Sequence, residues 1–212
     1  AAKIGRCMRD NAYAASAALA CERGPYPLFS PERSLASGHF SAALPKAVCE
    51  AVAKHGLRNS HLLSLAPTGS VSLAFGDNCS SGIEPAFDWV YQRRVRIQHR
   101  APQLYRIENR AYRLFRALYG QRAALPGYFV TARQIDGLDH LRMVATLQPF
   151  VDASISKTVL LPCSASCAQV AALLFHAWQL RLKGITIFRP DTGPDDVLSE
   201  LPPLNGRPTC FC

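Results

Sequence analysis

No stretch of this 212-residue sequence reaches the about 18 to 20 consecutive apolar residues that a membrane helix needs, and no basic-plus-apolar signal segment opens it. A cytoplasmic protein without membrane contact is therefore expected. Paired CxxC motifs and an HExxH are both missing, so a zinc site has no support. Charge is scarce, at 18% Asp, Glu, Lys and Arg, beside 49% hydrophobic residues. That balance excludes disorder and supplies a core for one or two domains. Eight cysteines are present, but they form no spaced framework, so a disulfide scaffold is not expected. Cys163 and Cys167 stand four apart at a helix start, where small buried helix residues are expected in preference to a metal or redox pair. No internal repeat or low-complexity tract occurs. The first residue is Ala1 and a helical pattern begins at once, which raises the expectation of a piece of something longer.

The net charge of +9 is mostly arginine, concentrated between Arg93 and Arg116. There Arg93, Arg94, Arg96, Arg100, Arg106, Arg110, Arg113 and Arg116 alternate with Tyr91, Tyr105, Tyr112 and Phe115. Basic residues interleaved with aromatics can grip nucleic acid through phosphate contacts and base stacking. A solvated face whose arginines pair locally, as Glu108 would loosely with Arg113, or a wall for an anionic ligand, explains the same residues, and the nucleic-acid reading is the less favoured.

Along the chain, Ile4, Met8, Ala12, Ala15 and Leu19 are spaced as one face of a helix that Gly24-Pro25 stops, and a second helix is expected over 44–54. His61–Pro67 is short, apolar and ended by proline, and reads as a buried strand. A short helix to Phe75 follows, then an Asn-, Ser- and Gly-rich loop from Gly76 to Pro85. Trp89–Ile97 reads as a strand, Asn109 caps a helix to about Tyr119, and another helix spans 132–148 with a break at Gly137. Val159–Leu161 reads as a strand. Ser164 or Ser166 then caps a helix whose Val170, Leu173, Leu174, Ala177 and Trp178 form one core-facing stripe, and 185–188 is a buried strand. Strand, helix and strand in this order argue for a parallel crossover and an α/β class.

Chemistry is concentrated in Pro67-Thr68-Gly69-Ser70-Val71-Ser72. A strand that ends at Pro67 and turns through Gly69 into a helix presents unpaired N–H groups at the positive end of the helix dipole, beside the hydroxyls of Thr68, Ser70 and Ser72. That suits a phosphate. A plain capped strand-to-helix turn uses the same residue types.

Four segments carry a resemblance to a known family. Residues 57–87, LRNSHLLSLAPTGSVSLAFGDNCSSGIEPAF, are similar to the part of class II, adenosylcobalamin-dependent ribonucleotide reductases where an APTGT-like loop precedes SSGIEP. VYQRRV at 90–95, DASISKT at 152–158 and AWQLRLKGITIFRP at 177–190 continue the likeness in the family's order. The resemblance implies a ten-stranded α/β barrel, of which residues 1–190 would form a C-terminal portion and 191–212 a tail. It implies that Pro67, Thr68, Gly69, Ser70 and Val71 hold the phosphates of a ribonucleotide substrate, and that Ser80, Ser81, Gly82, Ile83, Glu84 and Pro85 lie near the active site. Glu84 receives no acid or base role; a carboxylate bonding nearby backbone N–H groups or paired with Arg93 or Arg94 is the simpler expectation.

Class I reductases, which resemble the last strand too, carry two adjacent radical-relaying tyrosines where Thr186 and Ile187 stand here. Thr186 and Ile187 cannot relay a radical, so the likeness implies one generated locally from adenosylcobalamin. The activity so implied is replacement of a ribonucleotide 2′-hydroxyl by hydrogen, with a thioredoxin-like reductant as partner and a homodimer as a candidate assembly. Ser70 replaces the family's usual threonine, Leu160 stands where asparagine is usual, and the family's Asn-x-Cys-x-Glu radical-cysteine motif occurs nowhere in these residues. The isolated chain is therefore expected to be inactive. Cys210 and Cys212 invite comparison with the family's terminal redox-shuttle pair, although a Cys-x-Cys ring is tight and the tail follows the last strand closely. A truncated, inactive fragment and a nucleic-acid module based on Arg93–Arg116 stand as alternatives.

Overall fold

The computed structural model describes residues 1–79, 81–95 and 103–189, and the backbone of 198–200. The chain divides into two units, each described by itself: Ala1–Leu65 with Arg142–Ile155 and Arg181–Gly184, and Ala66–Leu141 with Ser156–Leu180 and Ile185–Cys212.

The first unit is helical. α1 (Ala2–Arg23) ends at Gly24, whose positive φ of 77° is easy for glycine, and α3 (Lys46–His55) ends likewise at Gly56 with φ 80°. A short helix, α2 (Pro31–Ser34), lies between them, capped by the Ser30 hydroxyl. α1 packs on α3, and Tyr13, Ala17, Leu44, Val52 and Leu57 form a core to which Tyr26, Phe29 and Phe40 add their rings. Val52 is 0% exposed, so its burial contributes about 1.5 to 3 kcal/mol.

The expected strand at 61–67 does not form a ladder. Leu65 makes an isolated parallel bridge to Ile155, while Leu62 and Leu63 donate their N–H groups to the carboxylate of Asp152 at 2.7 and 3.0 Å. A side chain takes the donors that a neighbouring strand would use, and the segment is only partly buried, with Ala66 and Pro67 exposed. Asp152 also accepts from the Tyr13 hydroxyl at 2.7 Å, and burial together with this carboxylate raises the Tyr13 pKa.

The second unit holds two small sheets. β1 (Val90–Val95) pairs antiparallel with β2 (Gln103–Glu108), Val90 facing Glu108 and Val95 facing Gln103, and with β5 (Leu198–Glu200) on its other side. β3 (Thr158–Leu160) and β4 (Thr186–Phe188) are parallel, with Val159 opposite Ile187, and α7 (Cys167–Gln179) connects them in sequence. This is the strand–helix–strand unit expected from the sequence, and no closed barrel exists among the described residues. Four helices are read closely: α5 (Arg110–Tyr119) behind its Asn109 cap, α6 (Gly137–Leu147), α7 behind Ser166, and α4 (Gly69–Phe75).

Three expectations of burial fail. On α7 only Leu173 and Ala177 of the predicted stripe are buried, while Leu174 and Trp178 are 47% and 71% exposed. In β4, Thr186 is exposed and Ile187 and Phe188 are half-buried, so 185–188 is not a fully covered strand. Cys163 and Cys167 are exposed, not buried as helix residues.

Candidate functional site

The loop before α4 is built around Thr68, which takes the left-handed conformation at φ 50°, ψ 21°. The sequence suggests Gly69 as the turning residue; the structure gives that part to a β-branched side chain, which seldom enters this region. The first α4 hydrogen bond runs from Ser72 N–H to the Thr68 carbonyl at 2.8 Å. The amides of Gly69, Ser70 and Val71 therefore precede any intrahelical acceptor. The Thr68 side chain makes no capping bond to them. Pro67, Thr68, Ser70 and Val71 are exposed, and a Cβ placed on Gly69 would meet nothing within 4 Å. The loop is thus open to a ligand, and its amides are not sealed under other chain.

The far end of α4 is tied down. Buried Ser72 receives Gly76 and Asn78 N–H at its carbonyl, 2.9 and 3.0 Å. Asn78, itself at φ 55°, donates from Nδ2 to the Glu108 carbonyl at 3.1 Å and accepts from Asn109 Nδ2 at 3.2 Å. Asp77 pairs with Arg113.

Ser81, Gly82, Ile83 and Glu84 form a turn closed by an isolated Ser81–Glu84 bridge. Gly82 has φ 65°, and a Cβ there would stand 2.5 Å from the Ala66 carbonyl oxygen, so this glycine lies directly against the entry to the loop. Glu84 finds neither Arg93 nor Arg94. Its Oε2 accepts from Lys157 Nζ at 2.6 Å and its Oε1 from Thr158 N–H at 2.6 Å. The expectation of a backbone-bonded, ion-paired carboxylate holds, with a different cation. Lys157 is 3% exposed, and burial pulls its pKa down against the opposing pull of Glu84. His140, equally buried, places Nε2 3.2 Å from the Ala132 carbonyl, and burial followed by the nearby Lys157 charge lowers its pKa. Sequence reasoning passed over Lys157 and His140; the one available signal was a lone lysine in the DASISKT segment, just ahead of the apolar run Val159–Leu161.

Several of the arginines in the basic stretch are engaged. Arg106 pairs with Glu108 at 2.8 Å, Arg113 with Asp77, and Arg116 lies 4.9 Å over the Tyr112 ring while donating to the Ala123 carbonyl. The loose Glu108–Arg113 pair envisaged from the sequence is replaced by these two pairings. Trp89 stacks on Tyr112 at 6.4 Å and packs on Phe129 at 5.0 Å, so these three rings pack against one another within the fold. Arg96, Arg100, Ser80, Cys210 and Cys212 lie outside the described residues.

The chain matches the family model "Ribonucleotide reductase, barrel domain" over residues 1–188. It is 33% identical over 223 residues to the vitamin B12-dependent ribonucleoside-diphosphate reductase of Mycobacterium tuberculosis, covering 96% of this chain and 29% of that protein. The reductase of the same description from Thermoplasma acidophilum is 29% identical, over 93% of this chain and 25% of that protein. The chain spans under a third of the length of these curated relatives. Among solved structures, the Actinobacillus ureae class Id ribonucleotide reductase alpha subunit superposes with a TM-score of 0.58 at 18% identity, over 90% of this chain and 34% of that one, which speaks for the fold alone. With motifs, architecture and family model in agreement, the chain belongs to the ribonucleotide reductase barrel-domain family.

Proposed function

We propose that this chain is the substrate-phosphate portion of a cobalamin-dependent ribonucleotide reductase, with Pro67, Thr68, Gly69, Ser70 and Val71 receiving the phosphates of a ribonucleotide. The observation that carries the reading is the run of amides at 69–71, placed ahead of the first α4 hydrogen bond and left uncapped by Thr68, on a loop whose Thr68, Ser70 and Val71 are exposed. Three N–H donors converging from one turn neutralise a phosphate oxygen better than a single side chain does, and the hydroxyls of Thr68 and Ser70 stand beside them. Gly69 leaves room for the anion to approach the backbone. Ser81, Gly82 and Glu84 shape the entry to that loop and take no proton-transfer role: both Glu84 oxygens are occupied by a cation and an amide.

The relatives named above are described as vitamin B12-dependent. Adenosylcobalamin, as cofactor of the whole reductase, would supply a radical through cobalt–carbon homolysis. Its cobalt is carried by the cofactor's own corrin ring, so a cluster of metal-ligating side chains is not what would hold it, and the lack of a group of three His, Cys, Asp or Glu among the described residues does not bear on its binding. A thioredoxin-like reductant belongs to the same reading of the whole enzyme.

Titrating the 212-residue chain with cytidine 5′-diphosphate and with cytidine, while following backbone amide resonances, tests the reading. Saturable shifts at Gly69, Ser70 and Val71 with the diphosphate, at least about tenfold tighter than with the nucleoside, are expected. Equal affinities for the two, or shifts confined to β1, β2 and α5, would sink it.

A further inference from the structure

The loop does not fix its own direction. Thr68 holds a positive φ without a capping bond, and no neighbouring atom lies within 4 Å of the space over Gly69. What constrains its entry is the 81–84 turn, whose Gly82 backbone lies against the Ala66 carbonyl so closely that one added carbon would fall 2.5 Å from that oxygen. The turn is closed by Glu84 N–H donating to the Ser81 carbonyl at 3.0 Å. Glu84 is then locked by Lys157 Nζ and Thr158 N–H, and Lys157 has a second acceptor, the Thr158 carbonyl, at 2.7 Å. A buried ion pair is a poor device for stability alone, since an apolar pair of equal volume often does as well. Its merit is a unique geometry.

We propose that Lys157 is a positioning residue of the phosphate loop: through Glu84 and Gly82 it fixes the Ala66 carbonyl, and with it the aim of the amides at 69–71. Lys157 touches no ligand in this arrangement. The proposal deepens the reading of 67–71 as a phosphate site and rests on it.

The test measures dissociation constants of the 212-residue chain for cytidine 5′-diphosphate and for inorganic pyrophosphate, alongside melting temperatures, in Lys157→Met, Gly82→Ala and Val52→Ala. Lys157→Met removes the cation; Gly82→Ala keeps both partners of the ion pair and disturbs the turn itself, through the contact with Ala66 and the positive φ at residue 82. Both are expected to weaken the two ligands about tenfold. Val52→Ala, in the core of the helical unit, is expected to lower the melting temperature with affinity unchanged, which separates lost aim from lost stability. If Lys157→Met or Gly82→Ala melts lower yet binds like wild type, the positioning role is overturned while the phosphate reading stands. If wild type itself binds neither ligand at 69–71, the phosphate reading fails and takes the proposal with it. Should Lys157→Met not fold, the affinity of Gly82→Ala decides alone.

Discussion

His140 shows how far a residue's surroundings can outrun its neighbours in sequence. In the chain it sits between Asp139 and Leu141 on an amphipathic helix, where a histidine is unremarked; in the structure it is 2% exposed and faces the charge of Lys157. Burial first, then Lys157, depress its folded-state pKa, with Glu84, Asp136 and the Ala132 carbonyl opposing. The unfolded chain, with an imidazole pKa of about 6.5, therefore binds a proton that the fold refuses. Stability is full above about 6.5 and falls as pH drops toward the depressed folded value, levelling off below it. Thermal melts should show a falling midpoint on acidification from about pH 7 to 5, and His140→Gln should flatten that slope. An unchanged slope in the variant would assign it to other groups. Gly82 and Thr68 make a similar contrast. At the loop the left-handed angle falls on Thr68 and not on Gly69, while Gly82 combines a positive φ of 65° with a close backbone approach.

At the scale of elements, caps were legible because their chemistry is local. Ser166 accepts from Gln169 N–H at 3.3 Å while Gln169 Oε1 accepts from Ser166 N–H at 2.8 Å, a reciprocal pair that a four-residue window contains entirely. Asn109 likewise accepts from Ala111 N–H at 2.9 Å. Replacing Ser166 by alanine should cost about 1 kcal/mol in urea unfolding, and Asn109→Ala somewhat more than about 1 kcal/mol, because its Nδ2 bond to Asn78 goes too. An Asn109→Ala variant with undiminished stability would show that the two contacts contribute nothing net. The segment 61–67 was not legible for the opposite reason. Its apolar run has the composition of a strand, and only the fold brings Asp152, about ninety residues away in sequence, to claim its amides. The antiparallel partner β2 was missed as well, since its residues Gln103–Glu108 alternate too weakly to announce a strand without β1 beside them.

For the molecule as a whole, two outcomes are expected. The 212 residues, supplied with adenosylcobalamin, dithiothreitol and a ribonucleoside diphosphate, should release no deoxynucleotide, because no Asn-x-Cys-x-Glu segment is present to carry the radical; product above background in a chromatographic assay would refute this. Fluorescence anisotropy with single-stranded DNA should show no steeply salt-dependent micromolar binding, given that Arg106, Arg113 and Arg116 are already engaged within the fold. The sequence by itself determined the family, the phosphate-loop candidates, the helix caps and the β3–α7–β4 crossover, all of which follow from short contiguous patterns. Only the tertiary structure decided which cation meets Glu84, which residue turns the loop, and which apolar faces stay exposed. The pairing of Glu84 depends on residues about seventy positions apart coming within hydrogen-bond reach, and no local pattern encodes that distance.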